Sequence, residues 1–151
     1  MRKKVILAAL LAFGITSPVW AATENDHSGM IGIVTGQTVR INVVNTIGDP
    51  EILPSPVTLK FLNSAGRVIG TQRTTNLRPG RSVSLDLNAD TLELGSGVRY
   101  QLRVMVTKTD DPETPINEAR EILSTVEIFD NNTGMTRLVI RGFNPQPEPP
   151  G

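Results

Sequence analysis

The 151-residue chain contains no cysteine, one histidine and one tryptophan, and only 4% of it is aromatic. Each scarcity excludes a class of chemistry. Without cysteine there is no disulfide framework and no thiolate nucleophile. Zinc and copper sites need clustered histidines or cysteines, which His27 alone cannot supply. A serine nucleophile needs a base held in fixed geometry. His27 and Ser28, however, fall in a polar segment, residues 22–29, that reads as a flexible leader. Past residue 22 the aromatics are Phe61, Tyr100, Phe129 and Phe143, too few for a sugar-stacking cleft. The expectation is a protein with no catalytic, cofactor or metal residues, not an enzyme.

The N-terminus carries the most specific pattern. Arg2, Lys3 and Lys4 precede an apolar run, Val5 to Ile15, interrupted only by Gly14. Ser17 and Pro18 break it, and Val19-Trp20-Ala21 places small residues three and one before a cleavage point. This is the layout of a secretory signal peptide spanning residues 1–21. The run is shorter than the roughly 20 residues a membrane span requires. Cleavage after Ala21 predicts a bacterial exported protein, periplasmic or extracellular, with no membrane span thereafter. Removing the three basic residues leaves twelve against fifteen acidic ones. A mildly acidic chain lacks the basic footprint of a nucleic-acid binder, and there is no polybasic segment for anionic lipid.

From Met30 onward, apolar residues alternate or run short between turn signals, which is strand behaviour. Val39, Ile41 and Val43 oppose Arg40 and Asn42; Val57, Leu59 and Phe61 oppose Thr58 and Lys60; Val83, Leu85 and Leu87 oppose Ser84 and Asp86. Val98, Tyr100, Leu102, Val104 and Val106 alternate with Arg99, Gln101, Arg103 and Met105 over the cleanest stretch. Three prolines make 49–56 a loop, Asn63-Ser64-Ala65-Gly66 and Asp130-Asn131-Asn132-Thr133-Gly134 read as hairpin turns, and Asn88 is placed to cap one helical turn. The expected domain, residues 30–142, is an all-β antiparallel two-sheet sandwich of about seven to eight strands. A small barrel is the alternative.

The stretch Leu94-Gly95-Ser96-Gly97-Val98-Arg99-Tyr100-Gln101-Leu102-Arg103-Val104 resembles the corner before a late strand in immunoglobulin-like and fibronectin type III domains. The resemblance implies that the Tyr100 hydroxyl bonds back to the turn. The cysteine pair and core tryptophan of antibody domains are absent. The chain after the signal also resembles small exported bacterial β-proteins that end in Phe-Asn-Pro-Gln-Pro-Glu-Pro-Pro-Gly, here Phe143 to Gly151. That resemblance implies export and a β-domain and carries no chemistry.

Four constellations compete for a functional role. Asp110, Asp111 and Glu113, with Asn117 and Glu118, lie in a proline-bearing loop over residues 108–118 whose spacing is not that of a calcium loop. Asp86 and Glu127 point outward from strands with nothing in the sequence to bring them together for hydrolysis. Arg40, Arg99 and Arg103 occupy outward positions and have the fork geometry that grips carboxylate or phosphate. The proline-rich tail, residues 143–151, favours an extended rod, with Phe143, Pro145, Pro147, Pro149 and Pro150 as its partner-binding positions. These features point to a non-enzymatic binding protein whose partner is another exported protein or a cell-surface component. A self-associating envelope subunit is the second reading and a carboxylate hydrolase the third.

Overall fold

The computed structural model describes residues 23–109, 121–141 and 144–145. Its strands are β1 (Thr23–His27), β2 (Ile31–Ile33), β3 (Gln37–Asn45), β4 (Ser55–Asn63), β5 (Val68–Leu77), β6 (Ser82–Asn88), β7 (Tyr100–Thr109), β8 (Ile122–Asp130), β9 (Thr136–Arg141) and β10 (Asn144–Pro145), with one 3-10 turn at Ala89–Leu92. They form two antiparallel sheets. Sheet A runs β10-β1-β7-β4-β5, with β2 also on β7; sheet B runs β6-β3-β8-β9. This is the expected sandwich with ten strands, because two short strands come from segments without alternating apolar residues.

Alternation explains the layers. Successive side chains on a strand point to opposite faces, so Val39, Ile41 and Val43 of β3 meet Val57, Leu59 and Phe61 of β4 and Leu102, Val104 and Val106 of β7, all at most 1% exposed. Each such side chain contributes about 1.5–3 kcal/mol by leaving water. Asn88 caps the 3-10 turn by accepting from the Asp90 amide at 2.9 Å. Gly70 takes φ +66° where β5 slips past β4, and a Cβ there would come within 2.9 Å of Leu87 Cδ1. Only glycine tolerates both demands.

Four expectations are corrected. Residues 23–27 are not a loose leader: β1 pairs with β7 from Thr23↔Thr109 to His27↔Met105. Its inward face is held by charge instead of hydrocarbon, which hid it from a search for apolar period. Pro56 belongs to β4; it sits at the start of the strand, before the β7 register opens at Val57↔Lys108, where proline is tolerated. Val98 is 49% exposed and precedes β7, whose first residue is Tyr100. The corner is closed by the Val98 amide donating to the Gly95 carbonyl at 3.0 Å. The Tyr100 ring packs on the core, while its hydroxyl makes no hydrogen bond among the described residues.

Two of the sheet pairings coincide with those of an immunoglobulin domain and others differ, β5 lying on β4 where that fold sets its fourth strand beside its fifth. In that fold the second strand pairs with the fifth and the third with the sixth, as β3 does with β6 and β4 with β7. The terminal strands exchange places. β8 lies beside β3, where an immunoglobulin domain puts its first strand, and β1 lies beside β7, where that domain puts its last. The chain then returns to sheet A, with Asn144 and Pro145 of β10 opposite His27 and Asp26.

Candidate functional site

The outer face of sheet A brings together cations that are far apart in sequence. Lys60 on β4 stands opposite Met105 on β7, and Arg103 on β7 stands opposite Leu62 on β4. Lys60 and Arg103 are therefore diagonal neighbours, about 7–8 Å apart at this geometry. The guanidinium of Arg103 reaches Gly66 in the β4–β5 turn, and Leu62, although outward in phase, is only 5% exposed. Arg67 is exposed in the same turn, and Arg99 lies across Gly32 of β2 so closely that any Cβ would collide with it. Among the described residues none of these four cations makes an ion pair. Exposed apolar side chains flank them: Met30 at 52% and Val68 at 47%.

Carboxylates are missing from this face among the described residues. Glu24 and Asp26 share the inward phase of β1; the others lie in the β3–β4 loop, along sheet B or at the 3-10 turn. The rest of the face is neutral. Asn25, Thr107, Thr58 and Thr74 form one row across four strands, joined by Thr107–Asn25 at 2.9 Å and Thr58–Thr74 at 3.1 Å.

On sheet B, by contrast, cations and carboxylates are interspersed. Arg40 stands between Asp86 on β6 and Glu127 on β8. Its Nε and Nη2 donate to the two Asp86 carboxylate oxygens at 2.7 Å each, and its guanidinium sits 5.1 Å over the Phe129 ring. The Asp86 hydrogen bonds raise the Arg40 pKa further, against the opposing effect of burial and with help from the charges of Asp86 and Glu127. Glu127 accepts a hydrogen bond from Thr136. The structure therefore does bring Asp86 and Glu127 to one face, contrary to the sequence reading. A cation already bound to Asp86 stands between them, on an open sheet surface. Of the three arginines read as one row, Arg40 is engaged on sheet B, while Arg99 and Arg103, on the sheet A side, make no ion pair among the described residues.

Two polar clusters were missed. At one end of the core, Lys108 Nζ lies 2.6 Å from Asp26 Oδ2, with side chains 6% and 4% exposed, and Ser124 Oγ donates to the same oxygen at 3.0 Å. The pair joins β1 and β7 of sheet A to β8 of sheet B. Its signal was present: Lys108 continues the inward phase of Leu102, Val104 and Val106, and a lysine in that phase requires a partner. At the other end Asn131, in the β8–β9 turn, ties the start of β3 to the end of β6 and to the 3-10 turn. Its amide nitrogen donates to Asn88 Oδ1 at 3.0 Å and Asp90 Oδ2 at 2.8 Å, and its Oδ1 accepts from Thr38 at 2.6 Å. Beside it, the Thr133 amide and then the Thr133 hydroxyl lower the Asp130 pKa, with the Asn132 amide and Arg137 assisting.

His27 and Ser28 do not form a dyad. The Ser28 hydroxyl accepts from the Val104 amide and donates to the Gly29 carbonyl, both at 2.8 Å; His27 Nδ1 is buried without a hydrogen-bond partner. Of the tail positions, Pro145 lies in β10; Phe143, Pro147, Pro149 and Pro150 lie outside the described residues, as do Asp110 to Glu118 of the acidic loop. No helix among the described residues is long and apolar enough to cross a membrane. Comparisons with protein-family models, curated proteins and solved structures found no match.

Proposed function

We propose that this chain is an exported, non-enzymatic binding protein that docks through the outer face of sheet A. The observation that carries the reading is the segregation of charge. In a chain with more acidic than basic residues after position 21, Lys60, Arg67, Arg99 and Arg103 gather, among the described residues, without an ion-pair partner beside a sheet face free of carboxylates. Opposing charges would normally be interspersed on a solvated surface. Retaining four unpaired cations costs self-repulsion, which an anionic partner relieves, and such a patch speeds encounter with that partner.

The test is co-fractionation of the mature protein with native cell envelope. The expected result is association that high salt reverses and that Lys60→Glu with Arg103→Glu abolishes, while Arg78→Glu with Arg141→Glu, an equal charge change elsewhere, leaves it intact. Equal behaviour of the two double variants overturns the reading. A self-associating subunit is the second reading, supported by the edge strand β9, whose Leu138 and Val139 are 43% and 49% exposed. Unpaired apolar edges pair readily with another chain. Light scattering that rises with concentration, and that Val139→Lys suppresses, would favour it.

A further inference from the structure

Resting on the proposed binding face, we infer that its partner is the anionic surface of a phospholipid bilayer. The argument comes from what stands on the face. Along one row lie Arg103, Leu62 and Val68, in register across β7, β4 and β5, and Met30 adjoins the neighbouring Ile31↔Leu102 pair. At the usual strand spacing, the row from β2 to β5 spans about 14 Å. Its two ends carry the exposed apolar side chains Met30 and Val68, and the cations Lys60, Arg67, Arg99 and Arg103 stand around and between them. Stable attachment to a bilayer takes two signals, apolar groups that enter the headgroup boundary and basic groups that meet the phosphates. This patch has both at one level.

The absence of a linear polybasic run is no obstacle, because the sheet assembles the cations from β4, the β4–β5 turn, β7 and the residue before it. The outer face of an open sheet offers a surface instead of a cleft, so an extended peptide has nothing to hold its sides. No described phenylalanine, tyrosine or tryptophan stands on this face to stack against a sugar ring. Each cation near an anionic leaflet contributes about 1 kcal/mol, or about fivefold in partitioning, and the contribution falls off within a Debye length.

The experiment uses the mature protein, residues 22–151, and co-sedimentation with vesicles of phosphatidylcholine alone or of phosphatidylcholine mixed equally with phosphatidylglycerol. The expected result is binding to the mixed vesicles only, lost in 1 M salt, where the Debye length is about 3 Å. Arg67→Ala, an exposed turn change that leaves the fold intact, should weaken partitioning about fivefold, and Met30→Asp should abolish it at an unchanged melting temperature. Arg141→Ala should have no effect. No preference for anionic over neutral vesicles overturns the inference, and so does binding that Arg67→Ala and Met30→Asp leave untouched. If vesicles fail while Lys60→Glu with Arg103→Glu still releases the protein from native envelope, the lipid assignment falls and the binding face stands, its partner then being an acidic protein or polymer.

Discussion

Replacing Lys108 by alanine tests whether the first strand is part of the domain. Lys108 and Asp26 are 6% and 4% exposed and 2.6 Å apart. Taking one partner away leaves a buried charge uncompensated, at a cost of about 3–5 kcal/mol. For a domain of this size that lowers the melting temperature by roughly 10–20 °C. Because the only tryptophan is Trp20, circular dichroism is the suitable probe for the mature protein. Ser124→Ala removes one hydrogen bond to the carboxylate and should cost about 1.5–3 kcal/mol. The double variant Asp26→Leu with Lys108→Met removes both charges and fills the space with hydrocarbon, so it should return to within about 1 kcal/mol of the parent or exceed it. The pattern of one large loss, one moderate loss and a recovery is specific to a buried pair. If Lys108→Ala melts within about 2 °C of the parent, the pair is solvated, β1 is not docked, and the reasoning fails.

Three further outcomes follow from individual residues. Tyr100→Phe should change stability by less than about 0.5 kcal/mol, since its hydroxyl has no hydrogen-bond partner among the described residues; a loss of about 1 kcal/mol or more in a melting comparison would reinstate the tyrosine corner. Gly70→Ala should destabilise by about 1–3 kcal/mol, from positive φ and the approach to Leu87, as read from a urea titration. The Asp130 pKa is lowered in the folded state, so the unfolded chain binds the proton more readily. Stability from this group is present above its unfolded pKa, near 3.8, and is lost as pH falls through the lower folded value. Asp130→Asn should therefore lower stability at neutral pH, flatten the acid limb of the stability profile, and leave stability below the folded value nearly unchanged.

What could be read from the sequence was whatever the core records as hydrocarbon. The extent of β3, and the inward sets on β4, β6 and the middle of β7, follow from alternation, because a strand facing an apolar layer must repeat every second residue. β1 could not be found that way. Its inward residues, Glu24 and Asp26, are acidic, and its partner Lys108 is 82 residues away, at a position that reads as the start of a loop. Lys60 and Arg103 were both legible as outward residues, yet their adjacency depends on β4 lying beside β7. Strand order is a long-range property that one sequence does not display. The same is true of Asp86 and Glu127, joined to one face only by β3 running between β6 and β8. The Tyr100 motif shows the converse: a local likeness in sequence fixed the position of the turn without carrying the hydrogen bond that gives the motif its meaning elsewhere.

The account's central claim is that the outer face of sheet A is the docking face, and site-specific photo-crosslinking in exporting cells tests it most directly. A photoactivatable residue replaces Met105, which stands opposite Lys60 on sheet A, or Thr125, outward on β8 of sheet B. The account predicts light-dependent adducts, with lipid or protein, from position 105 and none above background from position 125. Adducts from position 125 alone, or equal yields from both positions, would contradict it.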